Sequence, residues 1–248
     1  MNYLNHLYSL DSLPLEEKER RKNELIETTP EKLWPDGMPA SIDPKIVLIG
    51  VSYGNSPNPE AEKSRKNGFD FYSEPCVIKP KNSYFYYPDA RGYWEKLRYL
   101  SHSFCQKNCP TITIDEALSL TTHINLGTDS AGAATKYDVE KPYVQWASRL
   151  LNNIHNPDLV VLFGLKKIMK DKEVSQWWNH ESGLKIDWNK PEKEKFFINY
   201  RFSLWDLYNS NNHRIRLVLW PNHPSRHPFA NLDIWKESVN EFLSTDNL

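Results

Sequence analysis

The sequence predicts an α/β fold with three α/β/α layers around a four-stranded, mainly parallel central sheet, and three observations lead there. Apolar runs of strand length recur at residues 45–50, 121–126, 159–164 and 215–220, as buried parallel strands require. The segments between them are long enough to hold crossover helices, without which parallel strands cannot be joined. The 248 residues are 39% hydrophobic and 13% aromatic, ample for the core of one enzyme-sized domain.

Residues 1–40 read as an N-terminal helical extension packed on the main domain, which takes up residues 41–248. The extension holds the charge-rich stretch 15–24, a solvated helix, and ends at Pro35-Asp-Gly-Met-Pro39, a chain-breaking segment. Lys45-Ile-Val-Leu-Ile-Gly50 is the first strand and empties into Val51-Ser-Tyr-Gly-Asn-Ser-Pro57. Strands follow at Thr122-His-Ile-Asn-Leu126 and Leu159-Val-Val-Leu-Phe-Gly164. The Trp-rich segment 171–213 contains a partly alternating run, Phe196 to Trp205, which forms either extra strands or a helix and whose aromatics belong to the core rather than to a stacking platform. The last strand ends at Leu217-Val-Leu-Trp220 and opens into His223-Pro-Ser-Arg-His-Pro-Phe-Ala-Asn231. Prolines, a serine and an asparagine make this a stiff loop rich in hydrogen-bonding groups, at the sheet edge where open α/β folds bind ligands. An ordinary turn is the plain alternative.

Composition limits the function classes. No apolar run approaches the about 20 residues that span a bilayer, and no basic-then-apolar leader opens the chain, so a soluble, cytoplasmic monomer is expected. Three cysteines, an odd number, argue against a disulfide framework. His102, Cys105 and Cys109 have the spacing of half a metal site, against the plain reading of buried thiols; no metal and no cofactor is expected. A net charge of −1 gives little general affinity for phosphates. However, residues 207–232 hold no acid while carrying Arg214, Arg216 and Arg226 with His213, His223 and His227, a positive field expected around the last loop unless the gap in acids is accidental. The G-x-S-x-G elbow of an α/β hydrolase is missing.

The last loop resembles a segment of the single-strand-selective monofunctional uracil-DNA glycosylases, H-P-S-P-R-N-P-x-A-N-x-x-W. Here His223-Pro224-Ser225 and Trp235 are in step, while Pro228 and Ala230-Asn231 fall one position early. The first strand and its loop resemble that family's strand followed by G-M-N-P-G-P. Residues 122–126 and 159–164 resemble the middle and third strands of the superfamily, and residues 88–97 resemble the helix written N-R-F-W-x-x-L in related mismatch-specific glycosylases. Together these motifs cover roughly residues 45–240 and imply a uracil-DNA-glycosylase-like fold.

The resemblance also implies a site and DNA as partner. A glycosylase turns a base out of the helix and stabilises both an oxocarbenium-like sugar and a departing base anion. His223 matches the histidine that donates a hydrogen bond to that anion, and Asn125 matches the base-reading asparagine, its amide offering both a donor and an acceptor. The first motif places Gly50, Tyr53 and Gly54 against the base, and Phe71 matches the stacking aromatic, with Phe69 and Tyr72 as rivals. Ser225, Arg226, His227, Asn231 and Ser56 are expected to contact DNA. Phe229 either wedges into the hole left by the flipped nucleotide or anchors the loop. Ser52 stands where relatives carry a water-activating Asn or Asp, so Asn55, Asp129 and Asp70 are further candidates for that task. Gly54 stands where classical enzymes have a Tyr that blocks 5-substituents, which moves the expected substrate from uracil towards a 5-substituted pyrimidine and would suit defence against phage DNA with modified bases. Lys45 and Lys96 lie on a strand start and a helix, away from the expected site loops, which favours hydrolysis by water over a Schiff base. A non-catalytic DNA-binding module is the competing reading.

Overall fold

A computed structural model describes residue 16 and residues 44–51, 92–127 and 135–244. The helical extension expected at residues 1–40 lies outside the described residues except for Glu16, which is helical.

Among the described residues six strands form one mixed sheet rather than the four expected. β1 (Ile46–Gly50), β2 (Thr121–Asn125), β3 (Leu159–Phe163) and β6 (Arg214–Trp220) are the four strands read from the apolar runs. They pair in parallel in the order β2-β1-β3-β6. The added pair is β4 (Lys193–Phe197) and β5 (Tyr200–Tyr208), antiparallel to each other, with β5 antiparallel to β6. This hairpin resolves the strand-or-helix alternative for residues 196–205 in favour of strands. Its tryptophan belongs to the core as expected: Trp205 sits edge-on to Trp188, which sits edge-on to Trp178, at ring separations of 5.5 and 5.3 Å.

Alternation along the strands divides the core in two. Ile46 and Leu48 face one side with Phe163 and Trp220, packed by Leu97 and Leu100 of α1 (Tyr93–Asn108), Leu118 of α2 (Ile114–Ser119) and Trp235 of α6 (Leu232–Ser244). Val47 and Ile49 face the other side, packed by Val144 of α3 (Lys141–Arg149), Ile168 of α4 (Lys166–Met169) and Trp178 of α5 (Lys172–Trp178). Helices therefore cover both faces, which is why the four parallel strands are apolar throughout. Among the described residues no helix is long and apolar enough to cross a membrane.

The positive field expected around the last loop is not assembled. β6 runs away from Arg214 and Arg216 towards that loop, and at about 3.3 Å per residue Arg214 lies roughly 20 Å from Trp220. Both arginines are bound by Asp206 across the β5–β6 pair: Arg216 donates to its two carboxylate oxygens at 2.8 and 2.9 Å and Arg214 at 2.8 Å. Hydrogen bonds from Arg216 foremost, and from Arg214, hold the Asp206 carboxyl down at about 2. His213 lies at that same far end, beside Asp158 at 3.2 Å. Of the three arginines, Arg226 is the one that belongs to the loop.

Candidate active site

β1, β2, β3 and β6 all point their C-terminal ends to one edge, and that edge collects the polar groups. Within a strand, residues two apart share a face, so His123 and Asn125 of β2 emerge together beside Leu48 and Gly50 of β1. Both are buried, each about 1% exposed. A β-carbon at Gly50 would lie 2.7 Å from Asn125 Oδ1 and 3.5 Å from His123 Nε2; glycine is what leaves room for the amide. Asn125 Nδ2 is buried and has no hydrogen-bond partner among the described residues. A buried unmet donor costs about 1–3 kcal/mol and calls for an explanation such as a bound acceptor.

His223 stands three residues beyond β6. The backbone N–H of Ser225 donates to its Nδ1 at 3.2 Å. A nitrogen that accepts carries no proton, so the neutral ring holds its proton on Nε2. The ring is kept neutral: burial first, then the charges of Arg226 and Lys96, push its pKa down to about 4. His123 is pushed to about 3 by burial and then by His223, which places the two rings within electrostatic reach. Gly164, at the end of β3, has φ +67 and lies under the loop; a β-carbon there would come within 3.1 Å of the His223 backbone nitrogen. Gly164→Ala is expected to cost about 1–2 kcal/mol, the penalty of a left-handed non-glycine residue, and to displace His223. Chemical denaturation checks the first effect and the His223 proton shifts the second.

Lys96 departs from its expected place. It is 2% exposed on α1, and its Nζ donates to the carbonyls of Pro224 at 2.9 Å and Ala230 at 2.8 Å. It therefore lies at the site loop, not away from it, and fastens both ends of the segment that carries Ser225–Phe229. Burial lowers its pKa, yet in both contacts its Nζ is the donor, the work of a clamp. The sequence carried no signal for this, since 128 residues separate Lys96 from Pro224. His123 was legible: it is two positions before Asn125 in a strand, hence on the same face.

Two loop residues expected to contact DNA have other duties. Phe229 is fully buried, with its ring 5.4 Å from that of Tyr200 and 6.0 Å from those of Trp220 and Trp235. It is the loop anchor, not a protruding wedge, because the aromatic faces of β5, β6 and α6 enclose it. Asn231 caps α6, its Oδ1 accepting from the N–H groups of Asp233 at 2.9 Å and Ile234 at 3.1 Å, the ordinary work of a helix N-cap. Ser225, Arg226 and His227 are exposed. Ser52, Tyr53, Gly54, Asn55, Ser56, Phe69, Asp70, Phe71, Tyr72 and Asp129 lie outside the described residues.

No model of a known protein family and no curated protein matches the chain. Among the described residues no group of three or more His, Cys, Asp or Glu side chains could hold a metal ion. The Cys105 thiol, pushed up to about 12 chiefly by burial, stays protonated, and a ring nitrogen of His102 lies 3.0 Å from the Ile112 carbonyl.

The buried His123 ring and the half-buried His223 ring make the fold acid-sensitive. Unfolded, each would titrate near 6.5; folded, they bind protons only near 4 and 3. Between those values the unfolded chain holds more protons, so stability rises with pH. Their contribution is complete above about 6.5 and is lost as pH falls through the folded values. The melting temperature is expected to drop steadily from pH 7 to pH 4; a flat profile over that range would mean that the rings titrate normally.

Proposed function

We propose that this chain is a monofunctional DNA glycosylase, with a uracil-DNA-glycosylase-like fold, that turns out a damaged or modified pyrimidine and hydrolyses its N-glycosidic bond. We further take it to act as a cytoplasmic monomer. The observation that carries the reading is a neutral His223 with its proton on Nε2, at the sheet edge that also holds the buried amide of Asn125. As the bond from C1′ to the base breaks, the electron pair goes to the base and negative charge grows on its carbonyl oxygen. A neutral N–H donor fixed in a half-buried loop meets that charge without reorganisation, which is where such donors act most strongly. The unmet Nδ2 of Asn125 is a donor for a carbonyl on the Watson–Crick edge of the base, and its Oδ1 an acceptor. Water then takes up the sugar cation, and Ser52, Asn55 and Asp129 are the groups assigned to orient it.

The test presents single- and double-stranded oligonucleotides bearing uracil, 5-hydroxymethyluracil, 5-hydroxymethylcytosine or its glucosylated form, followed by alkali to cut abasic sites. Cleavage that depends on His223 supports the glycosylase and names its base. Binding without an abasic product would replace it with the DNA-binding module, and neither binding nor cleavage would reject both.

A further inference from the structure

With Phe229 enclosed, the site edge has another apolar projection. Phe197 pairs with Tyr200 and leaves Ile198-Asn199 as a two-residue turn. Because Ser203 is opposite Leu219, the start of β5 runs on past the end of β6, so the turn overhangs the loop that carries His223. The Tyr200 ring, 5.4 Å from that of Phe229, joins hairpin to loop.

We propose that the tip of the β4–β5 hairpin, led by Ile198, is the apolar wedge that enters a DNA duplex from which a nucleotide has been turned out. The proposal rests on the glycosylase reading. Three observations carry it. Ile198 has φ 55, a left-handed conformation in which a β-branched residue is an outlier; turns of this length ordinarily use Gly, Asn or Asp there. Strain of this kind persists at sites of function, and here burial does not offset it, for Ile198 is 58% exposed and its neighbour Phe196 66%. The third observation is charge. Lys166, at the start of α4 just beyond the end of β3, is half-buried, and after burial itself the charges of Arg201 and Lys170 lower its pKa. Arg201, on β5, is 3.1 Å from the Glu194 carboxylate of β4, and Lys166 lies within electrostatic reach of that pair. An apolar tip flanked by cations suits a base step between two phosphate backbones, where apolar side chains enter and unstack while lysines and arginines neutralise phosphates.

Ile198→Gly removes the wedge and relieves the turn, so its melting temperature is expected to equal or exceed that of the parent. Fluorescence anisotropy would compare an intact duplex, a duplex with a tetrahydrofuran abasic analogue, and a single strand. The parent is expected to prefer the abasic duplex, and the variant to bind it about tenfold more weakly, the scale of 1.4 kcal/mol, with single-strand affinity unchanged. Equal affinity of parent and variant for the abasic duplex overturns the wedge, as does a parent that does not prefer the gap or a parental dimer that Ile198→Asp dissociates in sedimentation. A parent that releases no base yet shows Ile198-dependent gap preference removes the glycosylase and keeps the wedge. A parent that releases base from duplex at a rate the glycine variant matches removes the wedge and keeps the glycosylase.

Discussion

Replacing His223 by alanine is expected to leave the protein folded and to slow base release by about 10²–10³-fold, the range measured when one preorganised oxyanion donor is removed. The loss arises in the transition state, where charge reaches the base carbonyl, so kcat falls while substrate binding changes little. The ring accepts a hydrogen bond from the exposed Ser225 N–H, a donor that water can satisfy once the ring is removed. The same ring sets a pH signature. With its pKa near 4, His223 is neutral throughout pH 5–8, so the rate owes no titration to it there and falls only as acid approaches pH 4. Protonation would put a proton on Nδ1 and break the contact from Ser225. A rate that titrates near pH 6.5 and loses that step in His223→Gln would show that the imidazolium, not the neutral ring, is the working form. A parental rate in His223→Ala would remove the mechanism altogether.

The four parallel strands were legible because burial on both faces leaves nothing but apolar residues to write, and their common edge follows from their parallel sense. The last loop was legible as a place: His223 follows a buried strand, and that fixes its edge without any knowledge of register. Side-chain duties within the loop were not. Arg214 and Arg216 look like neighbours of His223 in sequence, yet a strand carries its two ends apart, and the acid that binds them, Asp206, arrives by the cross-strand pairing of β5 with β6. Cations that cluster along a chain need not cluster in space. Lys96 and Pro224 meet only because α1 packs beside α6 on one face of the sheet, a tertiary event that no local pattern encodes. The β4–β5 hairpin was half-legible, since an edge pair with one solvated face blurs the alternation that separates strand from helix. The strained turn at its tip goes against turn preference, and a position that breaks a local rule is where function is sought.

Phe229→Ala provides the other large effect. A ring held in a core among Tyr200, Phe202, Trp220 and Trp235 loses about 3–5 kcal/mol when truncated to alanine, by transfer and by the cavity that remains. Against the about 5–15 kcal/mol that holds a domain folded, this is a large fraction. The Lys96 clamp on the carbonyls of Pro224 and Ala230 and the Phe229 ring both moor the loop, and the variant keeps the clamp while losing the ring. Base release should therefore fall along with stability, and Phe229→Leu, which restores most of the volume, should recover both in large part. Urea denaturation of the three proteins gives the stabilities, and the alkali assay gives the rates. A protruding wedge predicts the opposite pairing: unchanged denaturation midpoints with activity lost on duplex alone. If Phe229→Ala melts like the parent, the ring is not enclosed, and the choice of Ile198 over Phe229 as the apolar tip falls with it.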